Sequence, residues 1–166
     1  MGFAIPIDNS SPVRDERSVH TFTQTLVHIV WSTQDRECVL SAEIRGRLWP
    51  YIGGIARENG MKALAVGGVS DHVHLLVSLP PTLSLSKAVQ LLKGNSSKWL
   101  HEIYPKLANV SWQQGYAAFS IGSSGVEDTV AYIRNQEEHH RTRSYREEVE
   151  LFLRRNGVEY DPTRLE

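Results

Sequence analysis

From Thr21 to Thr33 the run TFTQTLVHIVWST is β-branched and aromatic, with Phe22, Leu26, His28 and Val30 on one parity. Side chains two apart in a strand share a face, so this run predicts a long strand. The period then changes. After a capping Ser41, residues Glu43, Ile44, Leu48, Ile52 and Ile55 recur at helical spacing until Asn59-Gly60 stops them. Pro50 predicts a kink within that helix. KALAVGGV and HVHLLVSLP follow as two strands of a hairpin, turned at Ser70-Asp71 and ended by Pro80-Pro81. Ser84 opens a helix reaching about Tyr104, with Val89, Leu92, Trp99 and Ile103 toward the core and Lys87, Lys93 and Lys98 toward solvent. Trp112 to Ile121 predicts a fourth strand, and Glu127 to His140 a helix. Ser144 caps a last helix, which Gly157 ends in a left-handed conformation.

The element order βαββαβ with C-terminal helices implies an α+β, ferredoxin-like (RRM-like) sandwich: an antiparallel sheet with helices on one face and further helices after it. Residues 1–19, with two Pro and three Ser, have no period and are expected to form a flexible leader, leaving 20–166 as one domain. At 166 residues with 40% hydrophobic and 22% charged side chains, such a domain needs no disulfide or structural metal to bury a core. The lone Cys38 has no partner for an intramolecular disulfide, and no apolar run approaches the roughly 18 residues of a membrane span. A cytoplasmic protein without a membrane partner is expected.

Two constellations carry possible chemistry. In SDHVHLLV the imidazoles of His72 and His74 project together while Val73 faces the other way. Such a pair serves either as a polar strand face or as a two-nitrogen metal site. In AYIRNQEEHH, Tyr132 and Gln136 stand one helical turn apart, so a phenol and an amide oxygen can address one point. Two imidazoles and one amide oxygen would leave open positions on a Mg²⁺ or Mn²⁺ acting as a Lewis acid on phosphate. His28, inside the first strand, reads as a core histidine. Trp31, Trp112, Tyr116 and Phe119 read as core rings, with Trp112 and Tyr116 the two to test for base stacking.

Taken in order, HIVWSTQDR, SDHVHLL, KGNSSKWL, WQQGYAAFSIGSS, VAYIRNQEEHHRTRSYREE and GVEYD span residues 20–162. As a set they resemble the single-tyrosine, HUH-type IS200-like transposases of small bacterial insertion sequences, which are related to the REP-associated tyrosine transposases. Asn135-Gln136 stands where the REP-associated relatives often carry Asn-Pro, which favours the insertion-sequence branch. The resemblance implies that Tyr132 attacks a phosphodiester of single-stranded DNA, forming a 5′-phosphotyrosine link and freeing a 3′-OH. It implies His72, His74 and Gln136 as ligands of a divalent metal. It also implies DNA hairpins at element ends as partner, and a homodimer joined through edge strands in which each Tyr helix serves the other subunit's His pair, an edge for which Ala117, Ala118 and Phe119 offer a segment. A phenol with a pKa near 10 is only about one part in a thousand ionised at neutral pH, consistent with a cation-polarised electrophile.

Taken as a whole-chain sum, the charge balance opposes a nucleic-acid partner: 18 Lys and Arg against 19 Asp and Glu, net −1. The basic residues are nevertheless grouped. Lys87, Lys93 and Lys98 lie on one helix and Arg134, Arg141 and Arg143 near Tyr132, while Glu147, Glu148, Glu150 and Glu159 gather toward the C-terminus. Both basic groups are expected to track DNA phosphates, and His139 and His140 either to touch phosphate or to tune the metal, with affinity resting on DNA shape more than on bulk charge. Two other functions fit the same residues: a domesticated hairpin-binding regulator that does not cut, and a metal-dependent phosphoesterase in which Tyr132 is structural.

Overall fold

The computed structural model describes residues 22–165; the expected leader and His20 lie outside the described residues. Four strands, β1 (Leu26–Ser32), β2 (Lys62–Gly68), β3 (His72–Ser78) and β4 (Ala117–Ser120), form one antiparallel sheet in the order β2-β3-β1-β4. Helices α1 (Ala42–Glu58) and α2 (Leu85–Ile103) complete the βαββαβ order, and α3 (Val126–Arg134), α4 (Gln136–His139) and α5 (Tyr145–Arg155) follow. This is the expected α+β architecture.

The period-2 pattern decides which side chains meet which helices. Val27, Ile29 and Trp31 of β1 and Val73, Leu75 and Val77 of β3 point into one core with Leu48 and Ile52 of α1 and Val89 and Leu92 of α2. Each of these buried aliphatic side chains contributes roughly 1.5–3 kcal/mol. The opposite parity, His28 and Val30 of β1 and His72, His74 and Leu76 of β3, therefore faces the other side. There α3 covers it through Ile133 and α5 through Tyr145, Val149 and Leu153.

Caps fall where the sequence placed them. Ser41 accepts from the Ile44 amide and Ser84 from the Lys87 amide, while Ser144 and Glu147 form a reciprocal capping box. Gly60 and Gly157 end their helices at φ 73° and 64°. Three expectations need correction. The first strand begins at Leu26 rather than Thr21, because its pairing with β3 ends at Leu26–Ser78 and Pro80-Pro81 beyond cannot extend the ladder. The fourth strand shrinks to Ala117–Ser120: Gly115 turns at φ 84°, and Trp112 keeps only a bridge to Thr33. The helix over 127–140 divides at Asn135, whose φ −99° and ψ 23° leave the helical region. By contrast, α1 runs through Pro50 as one element.

Candidate active site

The site grows out of β3. With Val73, Leu75 and Val77 committed to the α1–α2 core, the alternation turns His72 and His74 to the opposite face, where both are 0% exposed. Their outer nitrogens are fixed by neighbours. Asp71 Oδ1 stands 2.7 Å from His72 Nδ1, and Arg36 reaches the other carboxylate oxygen at 3.4 Å. His28 Nε2 lies 3.0 Å from His74 Nδ1. Both Nε2 atoms then point inward, and that of His74 is buried with no hydrogen-bond partner.

Facing them is a carboxylate. Glu148 Oε2 lies 3.6 Å from His72 Nε2, 3.4 Å from His74 Nε2 and 3.1 Å from His140 Nε2. Its Oε1 accepts from Gln136 Nε2 at 3.1 Å and from the Tyr132 hydroxyl. Gln136 Oε1 is 3.3 Å from His72 Nε2. The Tyr132 ring centre is 5.9 Å from that of His74 and 6.4 Å from that of His28, and the ring stacks on His139 at 4.7 Å. A hollow of about 230 Å³, lined by Tyr132, His28, Phe152, Arg143 and Arg155 among others, opens beside the phenol.

Close packing of α3 brings Tyr132 to this place. Gly67 pairs with His74 in the sheet, and a Cβ there would lie 2.4 Å from the Ile133 carbonyl oxygen and 2.9 Å from its Cγ2. Only hydrogen fits between β2 and α3.

Burial dominates the electrostatics. It pushes His28 down to about 3, with His74 adding to the effect, and His74 well below its usual value; His140 falls to about 4, chiefly from burial and then from His72. The same burial raises Glu148 to about 7. For Asp71 burial acts upward, but the hydrogen bond and charge of His72 and the neighbouring Arg36 hold it below the usual carboxylate range. Burial thus keeps His74 and His140 as neutral imidazoles at neutral pH, their nitrogens and a Glu148 carboxyl oxygen facing one point. Ligand atoms of His72, His74, His140 and Glu148 all lie within 4.8 Å of one another. With the unpartnered His74 Nε2 among them, this donor set fits a divalent metal ion.

The family described as "Transposase IS200 like" matches residues 21–136, well over half of the chain. The chain belongs to the IS200-like transposase family. It is 28% identical to the ISDra2 transposase TnpA of Deinococcus radiodurans over 114 residues, 66% of this chain and 81% of that protein. It is also 28% identical to the transposase for insertion sequence element IS200 of Salmonella typhimurium over 130 residues, 74% of this chain and 84% of the relative. Among solved structures, a crystal structure of a transposase-type protein from D. radiodurans aligns with a TM-score of 0.59 and 26% identity, covering 70% of this chain and 93% of that one. A REP-associated tyrosine transposase, solved bound to a REP hairpin, shares the fold with a TM-score of 0.55 at 18% identity, covering 73% and 72%.

Within this IS200-like domain the fold brings Tyr132, His72, His74 and Gln136 together, and His140 joins them. His139 stacks on the phenol from an exposed position. Arg143 reaches the hollow beside Tyr132, whereas Arg134 is exposed and Arg141 pairs with Glu138 at 3.3 Å. The lysines of α2 do not converge on Tyr132, because α2 covers the opposite face of the sheet. Lys87 is exposed beside Gln90, and Lys98 pairs with Glu102 at 3.8 Å. Lys93, expected toward solvent, is instead half-buried and donates to the Gln113 and Gly115 carbonyl oxygens at 2.6 Å each, tying down the loop before β4. Trp112 is a core ring donating to Ser96 Oγ at 3.0 Å, while Tyr116 stays 42% exposed. Sequence reasoning missed Glu148, counting it only among the acidic residues gathered toward the C-terminus. The signal was present: Tyr145, Glu148, Val149 and Phe152 fall at i, i+3, i+4 and i+7 of α5, which puts the carboxylate on that helix's apolar stripe.

Proposed function

We propose that this IS200-like transposase cleaves and rejoins single-stranded DNA through Tyr132, with a divalent metal at the His72 and His74 pair and Gln136 beside it. One observation carries the proposal: the chain's own Tyr132 lies 5.9 Å, ring to ring, from His74, with one carboxylate oxygen of Glu148 on the phenol and the other on the imidazoles. Bound there, Mg²⁺ or Mn²⁺ supplies Lewis acidity toward a phosphate oxygen. Tyr132 Oη forms a bond to the scissile phosphorus as the P–O3′ bond breaks, and its proton passes toward Glu148, ending on the departing 3′-oxygen. The product is a 5′-phosphotyrosine link and a free 3′-OH, and the reverse attack rejoins a strand. Asp71 and His28 hold the imidazoles in orientation, and Arg143 and Arg155 flank the hollow by which a phosphate reaches the phenol.

A DNA hairpin is the proposed partner; the fold neighbour solved with a REP hairpin supports that choice. We read residues 20–166 as one catalytic domain working in the cytoplasm; no described helix is long and apolar enough to cross a membrane. The proposal extends to a homodimer, since β4 is an edge strand with one side unpaired in the sheet. Tyr132 already meets the His pair of its own chain, so the dimer is not needed to assemble the site.

Labelled single-stranded hairpin DNA mixed with the protein and Mn²⁺ or Mg²⁺ and run on a denaturing gel tests this. A covalent adduct that Tyr132→Phe abolishes is expected. A native-gel shift without cleavage would instead favour a hairpin-binding regulator, and cleavage surviving Tyr132→Phe a phosphoesterase.

A further inference from the structure

We propose that Glu148 and His140 complete a four-donor metal site with His72 and His74, and that this site prefers Mn²⁺ and similar transition ions to Mg²⁺. The inference deepens the metal role assigned above and rests on it.

The separations favour coordination over a chain of hydrogen bonds. Donors bound about 2.0–2.2 Å from a tetrahedral cation stand about 3.3–3.6 Å apart. Glu148 Oε2 is 3.6, 3.4 and 3.1 Å from the three Nε2 atoms of His72, His74 and His140. Of the three imidazoles only the nearest, His140, makes a hydrogen bond to that oxygen, which leaves His72 and His74 facing it without one. His72 holds its Nδ1 proton on Asp71, which leaves its Nε2 a lone pair. His74 Nε2 has no hydrogen-bond partner at all, and its outer nitrogen is occupied by His28. Three nitrogens and one carboxylate thus converge where no protein donor fills the centre.

Gln136 takes a different place. Its amide nitrogen donates to Glu148 Oε1 while its oxygen lies 3.3 Å from His72 Nε2, so it orients the carboxylate as well as approaching the imidazole. A nitrogen-rich set is the wrong chemistry for Mg²⁺, which favours oxygen ligands and retains its waters, and the right one for ions that accept imidazole. The carboxylate's second oxygen receives the Tyr132 hydroxyl, so one side chain of α5 joins the ion to the nucleophile.

Isothermal titration of the full chain with Mn²⁺ and Mg²⁺, together with visible spectra of the Co²⁺-loaded protein, tests the assignment. The wild type is expected to bind Mn²⁺ at least ~10-fold more tightly than Mg²⁺, and to give the intense Co²⁺ bands of a four- or five-coordinate ion. Glu148→Gln and His140→Ala should each lower Mn²⁺ affinity by ~10–100-fold or more and weaken the Co²⁺ bands, while circular dichroism stays unchanged. Glu148→Gln keeps the side-chain shape and removes a buried charge, so it stays informative if His140→Ala misfolds. Wild-type Mn²⁺ affinity in Glu148→Gln, alongside its loss in His72→Ala, would overturn the four-donor set and leave the Tyr132 reading intact. Unchanged affinity in His72→Ala as well would remove the metal from both.

Discussion

Replacing Gly67 by alanine isolates the contact that brings the nucleophile to the imidazoles. The new Cβ would sit 2.4 Å from the Ile133 carbonyl oxygen, where ordinary contact begins at 3.4 Å, so 3.4 − 2.4 = 1.0 Å must be made up. Because the nearest atom is backbone, no side-chain rotation relieves it, and α3 must retreat from β2 by about that distance. Tyr132 is the residue next to Ile133 and moves with it. Overpacking of this kind costs roughly 1–3 kcal/mol of stability. A misplacement near 1 Å lowers a positioned reaction about 100-fold, equivalent to about 2.7 kcal/mol of barrier. Single-turnover formation of the covalent DNA adduct should therefore slow by about two orders of magnitude. Metal affinity should fall less than this, because three of the four donors, His72, His74 and Glu148, sit on β3 and α5 rather than on the displaced α3. Adding Ile133→Val should restore little, since the 2.4 Å contact is to the carbonyl oxygen. Adduct formation at the wild-type rate in Gly67→Ala, or full rescue by Ile133→Val, would refute this account.

Four further outcomes follow from the same geometry. Asp71→Asn removes the charge that fixes His72 Nδ1 at 2.7 Å and should weaken Mn²⁺ binding by ~10–100-fold in calorimetry, with the fold retained. In the metal-free protein, His28, His74 and His140 are held below their usual 6.5, so between about pH 4 and 6.5 the unfolded chain binds protons that the folded one refuses, and stability falls as pH drops through that window. Glu148, raised from 4.5 to about 7, opposes the trend by holding a proton in the folded state, so urea unfolding of Glu148→Gln should show the steeper loss on acidification. Lys93→Met should lower stability by roughly 1.5–3 kcal/mol through the loss of two charge-assisted bonds, without changing the salt slope of DNA binding. Arg143→Ala should leave stability nearly unchanged and reduce that slope by ~1.

The sequence alone carried the fold order, because each element is written in local chemistry. Ser41, Ser84 and Ser144 mark helix starts, Gly60 and Gly157 mark stops, and alternation on β3 sets His72 and His74 on one face. It also placed Tyr132 and Gln136 one turn apart, and the four residues do meet. It overextended the strands at Thr21 and Trp112, because strand length depends on how far a partner runs alongside rather than on propensity.

What surrounds the imidazoles was decided by tertiary packing. Glu148 lies 74 and 76 positions from His74 and His72, and only the folding of α5 across the sheet turns it from a surface acid into a buried donor. Lys93 shows the reverse: a residue that helical periodicity sends to solvent is captured by two carbonyl oxygens of a distant loop. Local pattern fixes which way a side chain points relative to its own element. What it then meets depends on elements far away in the chain, and a buried polar group is held by partners that sequence spacing does not record.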